Sequence, residues 1–588
     1  DINPNSVKIC RLRLWIELLK NTYYTPESNY TELETLPNID INIKCGNSLI
    51  SRYPLDANLK LALKSSKWSI ESYRLAISTY RNTNDKNIKR EMEKLILHIK
   101  QDFTSEIRRN DPLKSRMDKL ANELYNRFTG NFLFEHEEQY NKKGDDLNKK
   151  RKKEQQKLEA EIKELTQKIE EIKNSKIFEN AFEWRFEFPE VLDDNGDFVG
   201  FDVVIGNPPY IDLKGLDNNL VNYIFSNYPT SSNRVNLYST FVEKAFSLLR
   251  NEGLFSFIMP NSILMGSSYQ NLRNLIKKGI YGIIKLPEKV FEDATVETVI
   301  IEFQKDKQFD YCNTLAYKKN DKVTELDINF KYLVSKKSWE IYSEPKFNIY
   351  ISDDILKPLS KIHGKGKRLE EIADFTLGIT PYDRYKGHSK EIIENKEFHS
   401  DIAISDDYKP LIKGENIVPY HIDDKVNGFI KYGSWLGAPR EERFFIEPRV
   451  IVRQIVSGKP PKIFAGFTDN ALYFTQIGFA IIPKSDITVF ELTALLNSKL
   501  INFYHKYLFL DIEKELFQKI LIENCKLFPC IPYVDKNKVK EIIEKIIKEK
   551  LTNPDADTTE FEEQLDKMTY QLYDLTEEEI AIIENSVK

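Results

Sequence analysis

A chain of 588 residues leaves room for a large core and roughly three to five domains. With 41% hydrophobic and 30% charged residues and a net charge of −5, it has the composition of an ordinary globular protein. That balance decides little about nucleic-acid binding, where local patches outweigh the sum. No apolar run approaches the ~20 residues of a membrane span, and nothing resembles a signal peptide. Five scattered cysteines argue against a disulfide framework. Cys525 and Cys530 lack the companion Cys or His pair of a zinc site. The expectation is a soluble cytoplasmic protein with no membrane partner and no metal site.

The chain starts at Asp1, without methionine, and enters a helix pattern at once, which reads as a piece of something longer. Val7, Ile9, Cys10, Leu12, Leu14, Trp15, Leu18 and Leu19 follow largely helical spacing, with Asn3 or Asn5 as cap. Ile39–Cys45 alternates apolar and polar like a strand and closes on Gly46-Asn47-Ser48-Leu49, a small polar turn. From about 55 to 180 charged, helical residues dominate. Leu158, Ile162, Leu165, Ile169 and Ile172 form a heptad seam, predicting a coiled-coil-like arm. That arm reads either as a solvated spacer or as a DNA contact through Lys149, Lys150, Arg151, Lys152 and Lys153.

Residues 201–210 read Phe201-Asp202-Val203-Val204-Ile205-Gly206-Asn207-Pro208-Pro209-Tyr210. The β-branched run predicts a strand buried on both faces, as in a parallel sheet. Gly206 permits a sharp turn and the prolines stiffen it, at the strand end where open α/β sheets bind ligands. Such a turn suits methylation of an exocyclic amino group. The Asn207 side-chain carbonyl and the Pro208 backbone carbonyl can each accept one amino hydrogen, favouring a pyramidal nitrogen. Tyr210 can stack on the base. A stiff Pro-Pro turn with a packed tyrosine is the structural alternative.

Helical patterns at Leu237–Leu249 and Tyr269–Lys278 alternate with strand patterns at Gly253–Pro260, Ile280–Lys285 and Val296–Phe303. This alternation predicts a doubly wound α/β sheet interrupted by the helical insert. Residues 306–367 read as a connector ending in Gly364-Lys365-Gly366-Lys367. Residues 368–535 read as an α+β unit of short strands and turns, with Leu492–Tyr507 helical, and 536–588 as a charged helical segment.

In this order the motifs resemble amino-group DNA methyltransferases whose target-recognition domain comes last. They are most similar to type IIG restriction–modification enzymes with a TaqI-like C-terminal specificity domain. The resemblance implies a Rossmann-like methyltransferase sheet, incomplete at its N-terminus, over 1–54 and 181–305, with 55–180 inserted. It implies transfer of methyl from S-adenosylmethionine to the N6 of a flipped adenine in double-stranded DNA. Asn207, Pro208, Pro209 and Tyr210 would be the catalytic motif, with Phe291 opposite Tyr210 across the base. Asp1 would hold the cofactor's ribose hydroxyls, and Gly46, Asn47, Ser48 and Leu49 would contact its adenine. Arg384, Lys413, Arg449 and Arg453 of the recognition unit would contact phosphates or base edges.

The family's glycine-rich cofactor turn and its nuclease domain are not found, so Mg2+ enters only if a nuclease lies upstream. Cytosine-N4 or a protein glutamine is the alternative acceptor. A recognition module without independent catalysis is the non-enzymatic alternative.

Overall fold

Phe201–Gly206 (β1) runs parallel to Leu249–Pro260 (β2), with Val204 opposite Phe255 and Gly206 opposite Phe257. A computed structural model describes residues 3–31, 38–56, 64–109, 111–129, 142–174, 176–231, 235–288, 290–291, 296–323, 325, 332–456, 461–512 and 518–588. Two compact units emerge. The first comprises residues 1–259, 274–279 and 301–307, the second 260–273, 280–300 and 308–588.

In the first unit the strand order is β1, β2, then β4, where β4 is Thr298–Gln304 and straddles the division at Ile300. Phe303 of β4 is fully buried and stacks on Phe255 of β2 at 4.4 Å between ring centroids. The chain between β1 and β2 crosses over through helices Asn218–Asn227 and Leu237–Leu248, the connection a parallel pair needs. Asp217 and Asn236 start these helices by accepting amide hydrogens from Asn219 and Tyr238.

β1 is an edge strand among the described residues. The expectation of a strand buried on both faces fails here, with Val203 55% and Ile205 79% exposed. The expected strand over Ile39–Cys45 is instead a 3-10 turn, Ile39–Asn42, followed by irregular backbone. Side chains pin that backbone: Arg11 donates to the Ile43 carbonyl at 2.7 Å, and Lys44 pairs with Glu187 at 3.2 Å.

The insert folds as antiparallel-type helix pairs. Ile70–Asn82 packs on Lys86–Arg109 through Tyr73, Ile77, Ile99 and Phe103, all buried. Pro112–Leu124 packs on Lys142–Asn174, so the heptad seam finds its partner within the chain, with Leu165 buried. The side chains of Lys149, Lys150, Arg151 and Ile172 lie outside the described residues; Lys152 and Lys153 are exposed.

In the second unit the order runs β4, Ile280–Lys285 (β3), Tyr311–Ala316 (β5) and Tyr332–Ser335 (β6). β3 and β5 are parallel, whereas β5 and β6 are antiparallel. Tyr311–Ala316 and Tyr332–Ser335, within the stretch expected to be a connector, are therefore strands of the sheet. Beyond them, a five-stranded sheet places Arg449–Arg453 between Ala465–Thr468 and Gly478–Pro483, with Tyr420–His421 and Ala373–Leu377 outermost. Val450, Val452, Phe479 and Ile481 bury one face against helices Val489–Asn497 and Lys499–Phe509. Each such fully buried side chain contributes roughly 1.5–3 kcal/mol. The expected single helix over Leu492–Tyr507 is thus two, because Ser498 ends the first with extended backbone and caps the second through its hydroxyl. A four-stranded sheet of His399–Ser400, Phe429–Lys431, Tyr408–Ile412 and Tyr473–Phe474 and a two-stranded pair of Lys367–Arg368 with Pro529–Cys530 add to the unit's β structure. No helix among the described residues is long and apolar enough to cross a membrane.

Candidate active site and nucleic-acid interface

Gly206 ends β1 where a side chain would press on the Phe257 ring, 3.0 Å from a Cβ. The next four residues alternate in burial. Asn207 and Pro209 are exposed, Pro208 is buried and Tyr210 is half-buried. Pro208 therefore anchors the turn while the Asn207 amide faces solvent, engaging no described residue. The Tyr210 hydroxyl donates to the Ile258 carbonyl at 3.2 Å, tying the ring to the end of β2. Burial pushes its phenol up to about 12, so it stays protonated across the ordinary pH range. Beyond the turn, Leu237 N–H donates to the Ile211 carbonyl at 2.7 Å, and Asp212 bridges to Asn236. The motif is thus held at both ends, by β2 and by the start of helix Leu237–Leu248.

The Gly46–Leu49 turn is equally constrained. A Cβ on Gly46 would lie 2.8 Å from the Phe182 ring, so only glycine allows this approach. Asn47 N–H donates to the Asn180 carbonyl, and the Asn47 side-chain oxygen accepts from Leu49 N–H at 3.1 Å. Trp184 donates to the Ser48 carbonyl at 3.0 Å, and Tyr228 donates to that of Leu49 at 2.5 Å. Tyr223, whose hydroxyl donates to the Ser51 carbonyl at 3.2 Å, lies in the helix Asn218–Asn227 that follows the Asn207 turn, and Tyr228 ends that helix. The structure thereby brings the two predicted site segments onto one scaffold within the first unit. Asn47 and Ser48 remain half-exposed there, while Leu49 is buried. Asp1 lies outside the described residues.

Sequence reasoning missed the groups behind this turn. Glu183 is half-buried, accepts from Arg52 N–H at 2.7 Å, and its carboxyl is raised by desolvation. Lys244 is buried and is lowered to about 8 by desolvation, partly offset by Glu183. Their one sequence signal was the aromatic alternation Phe182, Trp184, Phe186, Phe188, of which Phe182, Trp184 and Phe188 pack as a ring cluster while Phe186 joins the core of the helix pair.

Phe291, half-buried, belongs to the second unit. Its segment leaves β3 and returns to β4. Leu286 N–H donates to the Thr298 carbonyl at 2.9 Å, closing the base of the loop. There the buried Lys285 pairs with Glu297 at 3.5 Å and Asp511 at 3.3 Å, while Asn261 donates to Glu297 at 2.6 Å.

Of the four basic residues expected at DNA, Arg384 and Lys413 are exposed, and Arg453 is half-buried with its guanidinium 5.7 Å from the Phe464 ring centroid. Arg449 corrects the expectation. It is fully buried and donates to the carbonyls of Glu447, Asn470 and Leu472, because the central strand's turn leaves those acceptors without strand partners. Among the described residues, no three His, Cys, Asp or Glu side chains converge on a metal position.

Two family descriptions match: the Eco57I restriction-modification methylase over residues 1–291, and the TaqI-like C-terminal specificity domain over residues 409–530. Residues 1–291 thus match a restriction–modification methylase domain, and residues 409–530 a TaqI-like specificity domain. RM.MjaORFECS2P of Methanocaldococcus jannaschii is 26% identical over 570 residues, 92% of this chain and 44% of that protein. The chain thus spans less than half the length of that relative. The adenine-specific methyltransferase BrxX of Escherichia coli O9:H4 is 34% identical over 101 residues, 17% of this chain and 8% of that one. Among solved structures, the type IIL restriction-modification enzyme MmeI in complex with DNA has a TM-score of 0.43 and 15% identity, covering 66% of this chain and 56% of that one.

Proposed function

We propose that the protein methylates the exocyclic N6 amine of adenine in a specific duplex DNA sequence. The observation that carries this reading is the exposed, unengaged Asn207 amide at the C-terminal end of a parallel strand, with Pro208 buried beneath it. An aromatic amine is a poor nucleophile while its lone pair is shared with the ring. Asn207 Oδ1 and the Pro208 carbonyl accept its two hydrogens, drawing the nitrogen toward a pyramidal geometry with the lone pair free. Tyr210 and Phe291 hold the extruded base by stacking, as chemistry on a base inside a duplex requires its extrusion. Positioning and hydrogen bonding supply the rate, with no covalent enzyme intermediate.

S-adenosylmethionine, when bound, supplies the methyl group. The half-exposed Asn47 and Ser48 on the rigid Gly46–Leu49 turn fit its adenine end, and Asp1 is the proposed partner of its ribose. Adenine is favoured over cytosine by asparagine at position 207 and by the likeness to an adenine-specific methyltransferase.

The test is Asn207→Ala in the full-length protein. Methylation of adenine in genomic DNA should fall at least ~100-fold, matching the loss of one positioned acceptor in a preorganised site. Binding to the same DNA should hold within about twofold. Unchanged methylation would overturn the assignment, and methyl groups recovered on cytosine would replace the base.

A further inference from the structure

The turn Asp383–His388 carries the most exposed aromatic side chain of the recognition unit. Tyr385 is 101% exposed, as open as in an extended peptide. Lone surface aromatics are common, so exposure alone decides nothing. What separates this one is how firmly its backbone is held. Asp383 accepts from Tyr385 N–H at 2.9 Å, and Lys386 and Gly387 close the turn by donating to the Asp383 and Arg384 carbonyls. Gly387 sits at φ +86°, a conformation that side chains disfavour. His388 accepts from Asp383 N–H through Nδ1 at 2.9 Å, leaving Nε2 to donate to the Trp435 carbonyl at 2.8 Å.

Beneath the turn, Tyr382 stacks on Phe398 with centroids 5.3 Å apart and planes 11° apart, and Thr380 pairs with Ala438. A rigid base thus presents an open ring. Rigidity is what lowers the entropic cost when such a ring is later used in binding.

The surroundings are basic and aromatic. Arg384 and Lys386 flank Tyr385, both exposed, and neither forms an ion pair among the described residues. On the neighbouring segment Trp435 is 39% exposed, with Lys431 Nζ 5.1 Å from its ring centroid. Open rings between unneutralised cations are the surface that nucleobases and phosphates select together.

We propose that Tyr385 wedges against a partly unstacked base step of the bound duplex and stacks on the base face this exposes, with Arg384 and Lys386 on the flanking phosphates. The proposal rests on the reading above that the protein acts on DNA, and it adds the residue that engages a base away from the methylated one. The experiment measures binding of the full-length protein to a random-sequence 40-base-pair duplex across a salt series.

Tyr385→Ala should weaken binding about 5- to 100-fold, the range of base–aromatic stacking, with an unchanged salt slope. Tyr385→Phe, which keeps the ring, should bind within twofold of wild type. Arg384→Ala and Lys386→Ala should each lower the salt slope by about one. Thermal melting should be unchanged for all four, since none of these side chains is buried. Wild-type affinity for Tyr385→Ala would overturn the stacking role alone, as would a loss shared equally by Tyr385→Phe. A wild-type protein that fails to bind the duplex would remove the DNA reading itself.

Discussion

At Tyr210 two roles can be separated by one atom. Its hydroxyl donates to the Ile258 carbonyl at 3.2 Å, a single neutral contact, while its ring carries the proposed stacking role. Tyr210→Phe should keep methylation within about fivefold, because one neutral hydrogen bond is worth ~1 kcal/mol and the ring remains. Tyr210→Ala should lower kcat/KM by about 10- to 100-fold, which single-turnover methylation assays resolve. Arg449 is the contrasting case. Basic residues among short strands read as DNA contacts, yet the same residue type serves equally well to satisfy buried carbonyls. Arg449→Met removes the donor from three carbonyls and should cost about 2–5 kcal/mol of stability by denaturant unfolding, whereas a DNA-contact role would leave stability untouched. The sequence carried no sign of which use applied, since burial of an arginine depends on where distant acceptors fall.

At the scale of elements, patterns with a complete local signal were legible. The helix at Leu237–Leu248, β2, β3 and β4 follow from apolar spacing plus a capping residue or a glycine. The Asn207 turn was legible for the same reason, since its prolines and glycine act on their own backbone. Ile39–Cys45 failed because alternation of isoleucines suits a strand only if another strand offers its edge. Arg11 and Glu187 hold this backbone with side chains instead. The edge position of β1 was invisible for a related reason: composition reports that a strand is apolar, not which neighbours it has.

One element-level contact is directly testable. Gly378, at the end of the strand Ala373–Leu377, lies where a Cβ would meet the Thr475 carbonyl oxygen at 1.8 Å, and its N–H donates to Gly478. Gly378→Ala must push the outer strand away from Thr475. It should cost about 2–4 kcal/mol, seen as a lower denaturant midpoint with an unchanged slope.

For the molecule as a whole, the second unit stores two buried groups whose protons pull its stability in opposite directions. Asp566 is buried against Lys499 N–H, and desolvation raises its carboxyl to about 6. Its folded form holds the proton more tightly than the unfolded chain, so the stability it gives is full below about 4 and lost as pH rises through 6. His505 is buried between Phe509 and Phe528, and desolvation lowers its imidazole to about 3. It must be neutral to stay folded, so its contribution is full above about 6.5 and lost as pH falls toward 3.

Between pH 4 and 6 the two slopes oppose, and wild-type stability should change little on their account. Asp566→Asn keeps an oxygen for Lys499 N–H and removes the falling slope. Its melting temperature relative to wild type should therefore climb steadily from pH 4 to pH 6.5, by the equivalent of up to about 3 kcal/mol. His505→Leu removes the rising slope and should gain most over wild type at the acid end. Melting curves of both variants at half-unit pH steps give the comparison. Parallel profiles for variant and wild type would mean that neither group changes its proton affinity on folding, and the packing of helix Lys499–Phe509 would then need another account of its pH response.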